Sequence, residues 1–199
     1  MASIYYDAMS WERKKRGEKF LDHLLYQFER HTMMPKPVYI GVDPAFRAGG
    51  FTICILDMTE KTAVTKTLEL LAFHDWLRSP DAPESCFVCV ENSNLQNQSF
   101  DTRGNRDEIA RKSRNVGCNQ AVSQLAYESA LKRYGPKNVF QVSPREKGKK
   151  ITDARMFAAI MQHDGIRIQK RTLNQDERDA YMLATIARRM ALRSGAFSR

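Results

Sequence analysis

The sequence predicts a mixed α/β domain preceded by a helical extension. Two observations lead to this prediction: apolar runs of strand length occupy the first half of the chain, and stretches with helical periodicity alternate with strands in the second half. The chain has 199 residues, 42% of them hydrophobic, which is enough to bury a sizeable core without disulfides. We expect an N-terminal helical extension at 1–36 and the α/β domain at 37–199.

The extension is predicted to be one helix from about Ser10 to Arg30. Apolar residues recur there at helical spacing and are flanked by basic ones, and Pro35 and Pro37 end the pattern. The apolar positions are Phe20, Leu21, Leu24, Leu25 and Phe28. Packing on the domain, a dimer contact and a DNA-contacting arm all remain open for this helix.

Five strands are predicted for the domain. Val38 to Asp43, Phe51 to Leu56 and Thr62 to Leu71 follow one another closely and form an antiparallel meander. Cys86 to Glu91 is a fourth, apolar strand, of the kind that is covered on both faces. Val139 to Val142 is the fifth.

Helices are predicted around and between the later strands. A short piece lies around His74 to Arg78, and a longer helix runs from Val116 to Tyr134, where Gly135-Pro136 stops it. Thr152 is a plausible N-cap for a helix to about Gln162. The last helix runs from about Gln175 to Leu192.

The charge of the chain indicates a polyanionic partner. A formal net charge of +9 and a pI of about 9.5 attract polyanions, and 10% aromatic residues argue against a disordered basic tail. Nucleic acid is therefore the leading partner class. No membrane partner is expected, because the longest apolar run, near Phe51 to Leu56, is far shorter than the roughly 20 residues of a spanning helix.

The four cysteines indicate reduced thiols and a cytoplasmic location. They are few and unevenly spaced, and the start of the chain lacks the apolar core of a signal peptide. Cys86 and Cys89 are three residues apart in a predicted strand, so their side chains point to opposite faces and do not converge on one ion. We expect both to be buried in the core.

Four carboxylates form the candidate catalytic site. Asp43 and Glu91 each end a buried strand, while Asp176 and Asp179 are three apart and share one face of the last helix. Converging carboxylates repel one another unless a cation holds them, and oxygen ligands favour Mg2+ or Mn2+. Two such ions can activate a water and stabilise the leaving oxygen in phosphodiester cleavage. The structural alternative is that these acids cap a turn, pair with arginines and favour the helix dipole.

The acids stand within motifs that resemble one family. The motifs are Ile40-Gly-Val-Asp43-Pro44, a Gly50 that opens the second strand, Val90-Glu91-Asn92, and Asp176-x-x-Asp179-Ala180 at the start of the last helix. From about Val38 to Met190 the chain resembles the RuvC-type Holliday junction resolvases. The resemblance implies an RNase H-like fold, with a mixed five-stranded sheet flanked by helices and with the first and fourth strands adjacent and parallel.

The resemblance also implies an activity. It implies an Mg2+-dependent endonuclease that resolves Holliday junctions or other branched double-stranded DNA, with two Mg2+ ions per active site that Mn2+ can replace. It implies a homodimer that nicks the junction symmetrically. Asp43, Glu91, Asp176 and Asp179 would be both catalytic residues and metal ligands.

Basic residues after the fifth strand lie near the scissile phosphate in that family. Here the loop from Pro144 to Lys150 carries Lys147 and Lys149, of which either is the candidate electrostatic helper. A solvated surface loop is the alternative.

The polar segment Asn92 to Asn115 is predicted to be a mobile loop that faces DNA. Phe100 is a candidate for the aromatic wedge that the family inserts, or else a satellite core contact. The predicted DNA-binding residues are Phe100, Arg103, Arg106, Arg111, Lys112, Arg114, Arg145 and Lys150.

Two rival functions remain open. One is another RNase H-like nuclease, such as an rRNA-processing enzyme; a DEDD exonuclease fits less well, because it needs an acid two residues after Asp43 and position 45 is Ala. The other is a non-catalytic protein that binds branched DNA through the same basic surface.

Overall fold

The structure is a computed structural model that describes residues 38–45, 50–95, 104–147, 151, 153–170 and 172–194. All of these belong to the unit Lys36–Arg199. Several predictions fall on residues outside the described ranges: the N-terminal extension with its helix, Phe100, Arg103, Lys149 and Lys150.

Six strands form one mixed sheet, and they span Val38–Ala45 (β1), Gly50–Asp57 (β2), Thr62–Leu68 (β3), Phe87–Glu91 (β4), Val139–Val142 (β5) and Arg167–Ile168 (β6). Their order in the sheet is β5-β4-β1-β2-β3-β6. Strands β1, β2 and β3 pair antiparallel, which confirms the predicted meander, while β1 and β4 pair parallel, as the resemblance implied.

The sheet has one strand more than the five predicted. The two residues of β6 pair parallel with the start of β3, through Thr62 opposite Arg167 and Ala63 opposite Ile168. A strand of two residues is too short to show an alternating pattern, so the sequence did not reveal it.

Helices cover the sheet and connect its later strands. They span Leu70–Arg78 (α1), Arg106–Tyr134 (α2), Pro144–Lys147 (α3), Ala154–Asp164 (α4) and Gln175–Arg193 (α5). The prediction placed the end of β3 at Leu71, but Leu70 and Leu71 are exposed and already belong to α1. Within the described part of the chain, no helix combines the length and the apolar character needed to cross a membrane.

Helix α2 begins ten residues earlier than predicted and corrects the prediction of a loop up to Asn115. Asn105 is its N-cap, and the Asn105 side chain accepts a hydrogen bond from the Glu108 backbone N–H at 2.9 Å. Glu108 also pairs with Lys112 one turn later, at 3.3 Å. This first half has no buried residue before Val122. It therefore lacks the apolar stripe from which a helix is predicted.

The start of α4 differs by one residue from the prediction. Asp153, not Thr152, is the N-cap, and its side chain accepts hydrogen bonds from the backbone N–H groups of Arg155 and Met156.

Two hydrophobic cores lie on opposite faces of the sheet. The core with α1 and α2 contains Val42 and Cys86, and the core with α4 and α5 contains Tyr39 and Cys89. The separation of Cys86 and Cys89 confirms that they are core residues on opposite faces. Burial raises the pKa of each thiol to about 12, so both stay protonated at neutral pH.

Gly41, in the middle of β1, allows α5 to lie directly on the strand. A Cβ atom at Gly41 would stand 1.9 Å from the Ala180 carbonyl oxygen and 2.4 Å from the Ala184 backbone nitrogen. These neighbours are helix backbone and cannot rotate away. The missing side chain thus sets the distance between α5 and the sheet.

We predict that Gly41→Ala strongly destabilises the protein. The added methyl group would push α5 off β1, so the loss in the free energy of unfolding should be about 3 kcal/mol or more, at the upper end for overpacking. Urea denaturation followed by circular dichroism measures it. The matched control is Gly117→Ala in α2, where a Cβ meets nothing within 4 Å and Ala is the better helix former. A Gly41→Ala protein as stable as this control would contradict the close contact.

Candidate active site

Asp43 and Glu91 lie side by side near the carboxyl ends of two parallel strands. The register pairs Val42 with Val90, so each acid is the next residue along its own strand. Alternation along a strand directs Asp43 to the same face as Gly41, which is the face that α5 covers. The structure therefore brings these two predicted residues together beneath the start of α5.

The first turns of α5 are held by a capping box. The Asn174 side chain accepts a hydrogen bond from the Glu177 backbone N–H at 2.9 Å, and the Glu177 carboxylate accepts one from the Asn174 N–H at 2.8 Å. Glu177 also accepts hydrogen bonds from Thr65 of β3 and from Lys170. This acid thus points away from the Asp176 and Asp179 side of the helix, as predicted.

Lys147 belongs to a helical turn, not to the basic loop that was predicted. The Ser143 hydroxyl accepts a hydrogen bond from the Glu146 N–H at 3.2 Å, and the Glu146 carboxylate accepts one from the Ser143 N–H at 2.7 Å. Pro144 stands at the first position, where helices favour proline. The signal was present in the sequence as Ser143-Pro-Arg-Glu146, a short capping box.

Three of the four predicted acids surround the Lys147 ammonium. Its Nζ atom lies 3.0 Å from Asp179 Oδ2 and 3.8 Å from Asp43 Oδ1, and it forms a closer ion pair with Glu91 Oε2. The Lys147 side chain is only 5% exposed. The acids come from β1, β4 and α5, so this one cation joins three separate elements.

The electrostatics of the site raise the pKa of Asp43 toward neutrality and favour a charge on Lys147. Burial raises the pKa of Asp43 from 3.8 to about 7; Lys147 opposes that shift, and the charges of Glu91, Asp179 and Asp176 add to it. Burial lowers the pKa of Lys147, but Asp43, Glu91 and Asp179 outweigh it, so the pKa lies above its usual range. The carboxylates together thus carry more negative charge than the single lysine balances.

Asp179 is positioned by residues that the sequence did not single out. Gln175, one turn earlier in α5, donates a hydrogen bond from Nε2 to Asp179 Oδ1 at 2.8 Å. Arg178 in turn donates to the Gln175 side chain and to the backbone carbonyls of Ile151 and Leu173. Glutamine and arginine are common on the surface of helices, so the sequence does not distinguish these two residues. Only the fold reveals that they position Asp179.

A network of side-chain amides supports the end of β4 next to Glu91. Asn92 is 1% exposed, and its amide nitrogen donates to Gln141 of β5 at 2.9 Å and to Gln124 of α2 at 3.3 Å. The Asn92 oxygen accepts from the backbone N–H of Asn94 at 3.0 Å. The network fixes the point at which the chain leaves the strand.

The donor atoms of the site fit a hard divalent cation. Asp43, Glu91, Asp176 and Asp179 supply only carboxylate oxygens, the ligand type that Mg2+ and Mn2+ prefer. Among the described residues, no group of three or more acidic, cysteine or histidine side chains is already arranged around a common metal position. Three of the acids instead share an ammonium, which shows that a cation is accommodated at the point where they meet.

The described DNA-binding candidates lie on exposed surface. Arg106, Arg111, Lys112 and Arg114 are exposed in the first half of α2, a 29-residue helix about 43 Å long at 1.5 Å per residue. Arg145 is exposed in α3, two residues before Lys147, whose side chain is buried. The structure thus separates Lys147, inside the acid cluster, from the solvent-facing basic residues.

No known family model matches the chain, and no curated protein matches it. Among solved structures, the chain is similar to the RuvC of T. thermophilus in complex with a Holliday junction substrate. The two share 16% sequence identity with a TM-score of 0.43, and the similarity covers 79% of this chain and 96% of that one.

We predict that Asp43→Asn stabilises the metal-free protein at pH 8 but not at pH 4. Because the folded pKa is raised from 3.8 to about 7, the contribution of Asp43 to stability is complete below pH 4 and is lost as the pH rises through 7. Asparagine does not titrate, so its advantage over wild type should grow across this window by on the order of 4 kcal/mol. Urea denaturation in EDTA at several pH values measures the difference. An advantage that is constant with pH would contradict a raised pKa.

Proposed function

We propose that this protein is a metal-dependent nuclease with an RNase H-like fold that cuts branched DNA. The observation that carries the proposal is the convergence of Asp43, Glu91 and Asp179, from three elements, on one buried cation. Burying three carboxylates together costs stability, which is expected at a site built for function. Asp176, on the first turn of α5, is the fourth acid of the proposed site.

Each acid has a proposed role at the metal centre. Asp43 and Glu91 would hold the metal from the ends of adjacent strands, and Asp176 and Asp179 would complete the coordination from α5. Two Mg2+ ions, or Mn2+ in their place, supply an activated water and stabilise the leaving oxygen when they are bound. Gln175 and Arg178 would keep Asp179 oriented toward the centre, as they do in this structure.

The proposed substrate is a four-way junction or another branched duplex. The net charge of +9 and the exposed basic residues in the first half of α2 favour a polyanion that spans a broad surface. Arg106, Arg111, Lys112 and Arg114 would contact phosphates there, with Arg145 closer to the acids. A homodimer, proposed from the resemblance to RuvC-type resolvases, matches the symmetry of a four-way junction with paired nicks.

We predict that the wild-type protein cuts a four-way junction in Mg2+ and that Asp43→Asn abolishes cutting. Loss of a metal ligand should lower the rate by at least about 100-fold, because loss of an outer-shell partner alone costs 10-fold to 100-fold. Gel analysis of end-labelled junctions measures the rate, with a linear duplex of the same sequence and a structured RNA as competing substrates. Asp75→Asn, which removes an exposed carboxylate from α1, is the matched control and should cut normally.

The same assay distinguishes the rival functions. Tight junction binding by the wild type, with no cutting in Mg2+ or Mn2+, would indicate a non-catalytic binding protein. Cutting of the structured RNA in preference to the junction would indicate an RNA-processing nuclease. Binding that survives in Asp43→Asn while cutting disappears supports the proposal.

We predict that junction affinity falls steeply with salt and that α2 contributes to this dependence. Neutralising each phosphate releases counterions, so replacing Arg111 and Arg114 together by alanine should lower the slope of log affinity against log salt by about two. Fluorescence anisotropy between 50 and 300 mM salt measures it, and Arg193→Ala, at the far end of α5, is the control for charge alone. An unchanged slope in the double variant would exclude α2 from the DNA-binding surface.

A further inference from the structure

The position of Lys147 has a consequence for metal binding. Its ammonium faces the carboxylate oxygens Asp43 Oδ1, Glu91 Oε2 and Asp179 Oδ2, which are the atoms that the proposed function assigns to the metal. Mg2+ binds carboxylate oxygens at about 2.0 to 2.1 Å and demands a near-ideal octahedral shell. An ammonium and a divalent ion therefore compete for the same oxygens.

The charges of the site favour the Lys147 ammonium when metal is absent and favour its departure when metal is bound. Without metal, Lys147 is the cation that faces Asp43, Glu91 and Asp179 together, and removing it would leave the repulsion among these carboxylates without the ion pairs that offset it. With metal bound, a lysine left in place would put a third cationic group against the same oxygens. The carboxylates are thus balanced by the Lys147 ammonium in the metal-free state and by the divalent metal in the metal-bound state.

From this geometry we infer that Lys147 is the resident counter-cation of the metal-free site and that divalent metal displaces its ammonium from the carboxylates. The inference rests on the proposed function, because it takes the carboxylates to be metal ligands. Lys147 is the last residue of α3 and reaches the acids through a flexible four-carbon stem, so the ammonium can leave while the capped turn stays in place.

Two properties follow from such an exchange. The metal-free protein keeps its acids together, because the lysine offsets their repulsion at all times when metal is absent. The metal affinity is lower than the carboxylates alone would provide, because binding must first break the ion pairs of Lys147. The lysine is then a positioning residue that sets the metal concentration at which the site fills.

The test compares Lys147→Met with Arg145→Met in the full chain. Both remove one positive charge from α3, but Arg145 is exposed, whereas the Lys147 side chain is buried and forms ion pairs with the acids. Isothermal titration with Mn2+ should give an affinity at least about tenfold tighter for Lys147→Met than for wild type, because no ion pair has to break. Thermal unfolding in EDTA should show a lower midpoint for Lys147→Met, with a larger recovery on adding Mn2+. Arg145→Met should match wild type in both measurements.

An equal or weaker Mn2+ affinity of Lys147→Met would overturn the inference, because it would mean that lysine and metal do not compete. A second measurement uses the wild type and does not depend on how the variant folds. Amine-reactive labelling with mass spectrometry should find Lys147 protected in EDTA and reactive in Mn2+, with the exposed Lys132 as a constant reference. Unchanged labelling of Lys147 would also overturn it.

The outcomes separate this inference from the proposed function. Neither measurement contains DNA, so they can succeed in a protein that cuts nothing, which would refute the nuclease and support the exchange. A wild type that cuts junctions while the Mn2+ affinities of the two variants are equal would refute only the exchange. A wild type that binds no Mn2+ would overturn the exchange.

Discussion

The backbone contact between α5 and Gly41 is the constraint on which the site depends. Because the helix lies directly on β1, its first turns reach the level at which β1 and β4 end. A larger residue would move the helix outward and take Asp179 away from Asp43 and Glu91. The geometry of the acids therefore depends on the absence of a side chain at Gly41, two residues before Asp43. The capping box at Asn174 then determines where along the strand the helix begins.

The repulsion among the three carboxylates of the site is offset by Lys147, a residue from a different part of the chain. Three carboxylates from elements far apart in sequence meet Lys147, which a four-residue helix presents to them. Burial, to which the charges of the neighbouring carboxylates add, raises the pKa of Asp43 toward neutrality. Such a cluster contributes little to stability, since buried ion pairs seldom outweigh their desolvation. Its presence is better explained by a need for negative charge at the edge of the sheet.

Much of this arrangement could be predicted from the sequence, and the reasons for the remainder are specific. Asp43 and Glu91 were recognisable because each interrupts an apolar strand at its end. The adjacency of these two strands then brings the acids together. The burial of Lys147 could not be predicted, because it depends on a capped turn in a segment whose basic residues indicate a loop. The start of α2 was missed because its first half has no apolar stripe. Arg178 and Gln175 act through contacts that exist only once α5 has docked.

The amide network around Asn92 adds a second kind of support with a different response to solution conditions. Asn92, Gln124 and Gln141 are uncharged, so their mutual hydrogen bonds are not screened by salt and do not titrate. The framework that carries Glu91 should consequently look the same in dilute buffer and at the ionic strength of a cell. Crystals or spectra obtained at high salt would therefore still show the native arrangement at the end of β4, even where salt has released charged ligands from the protein.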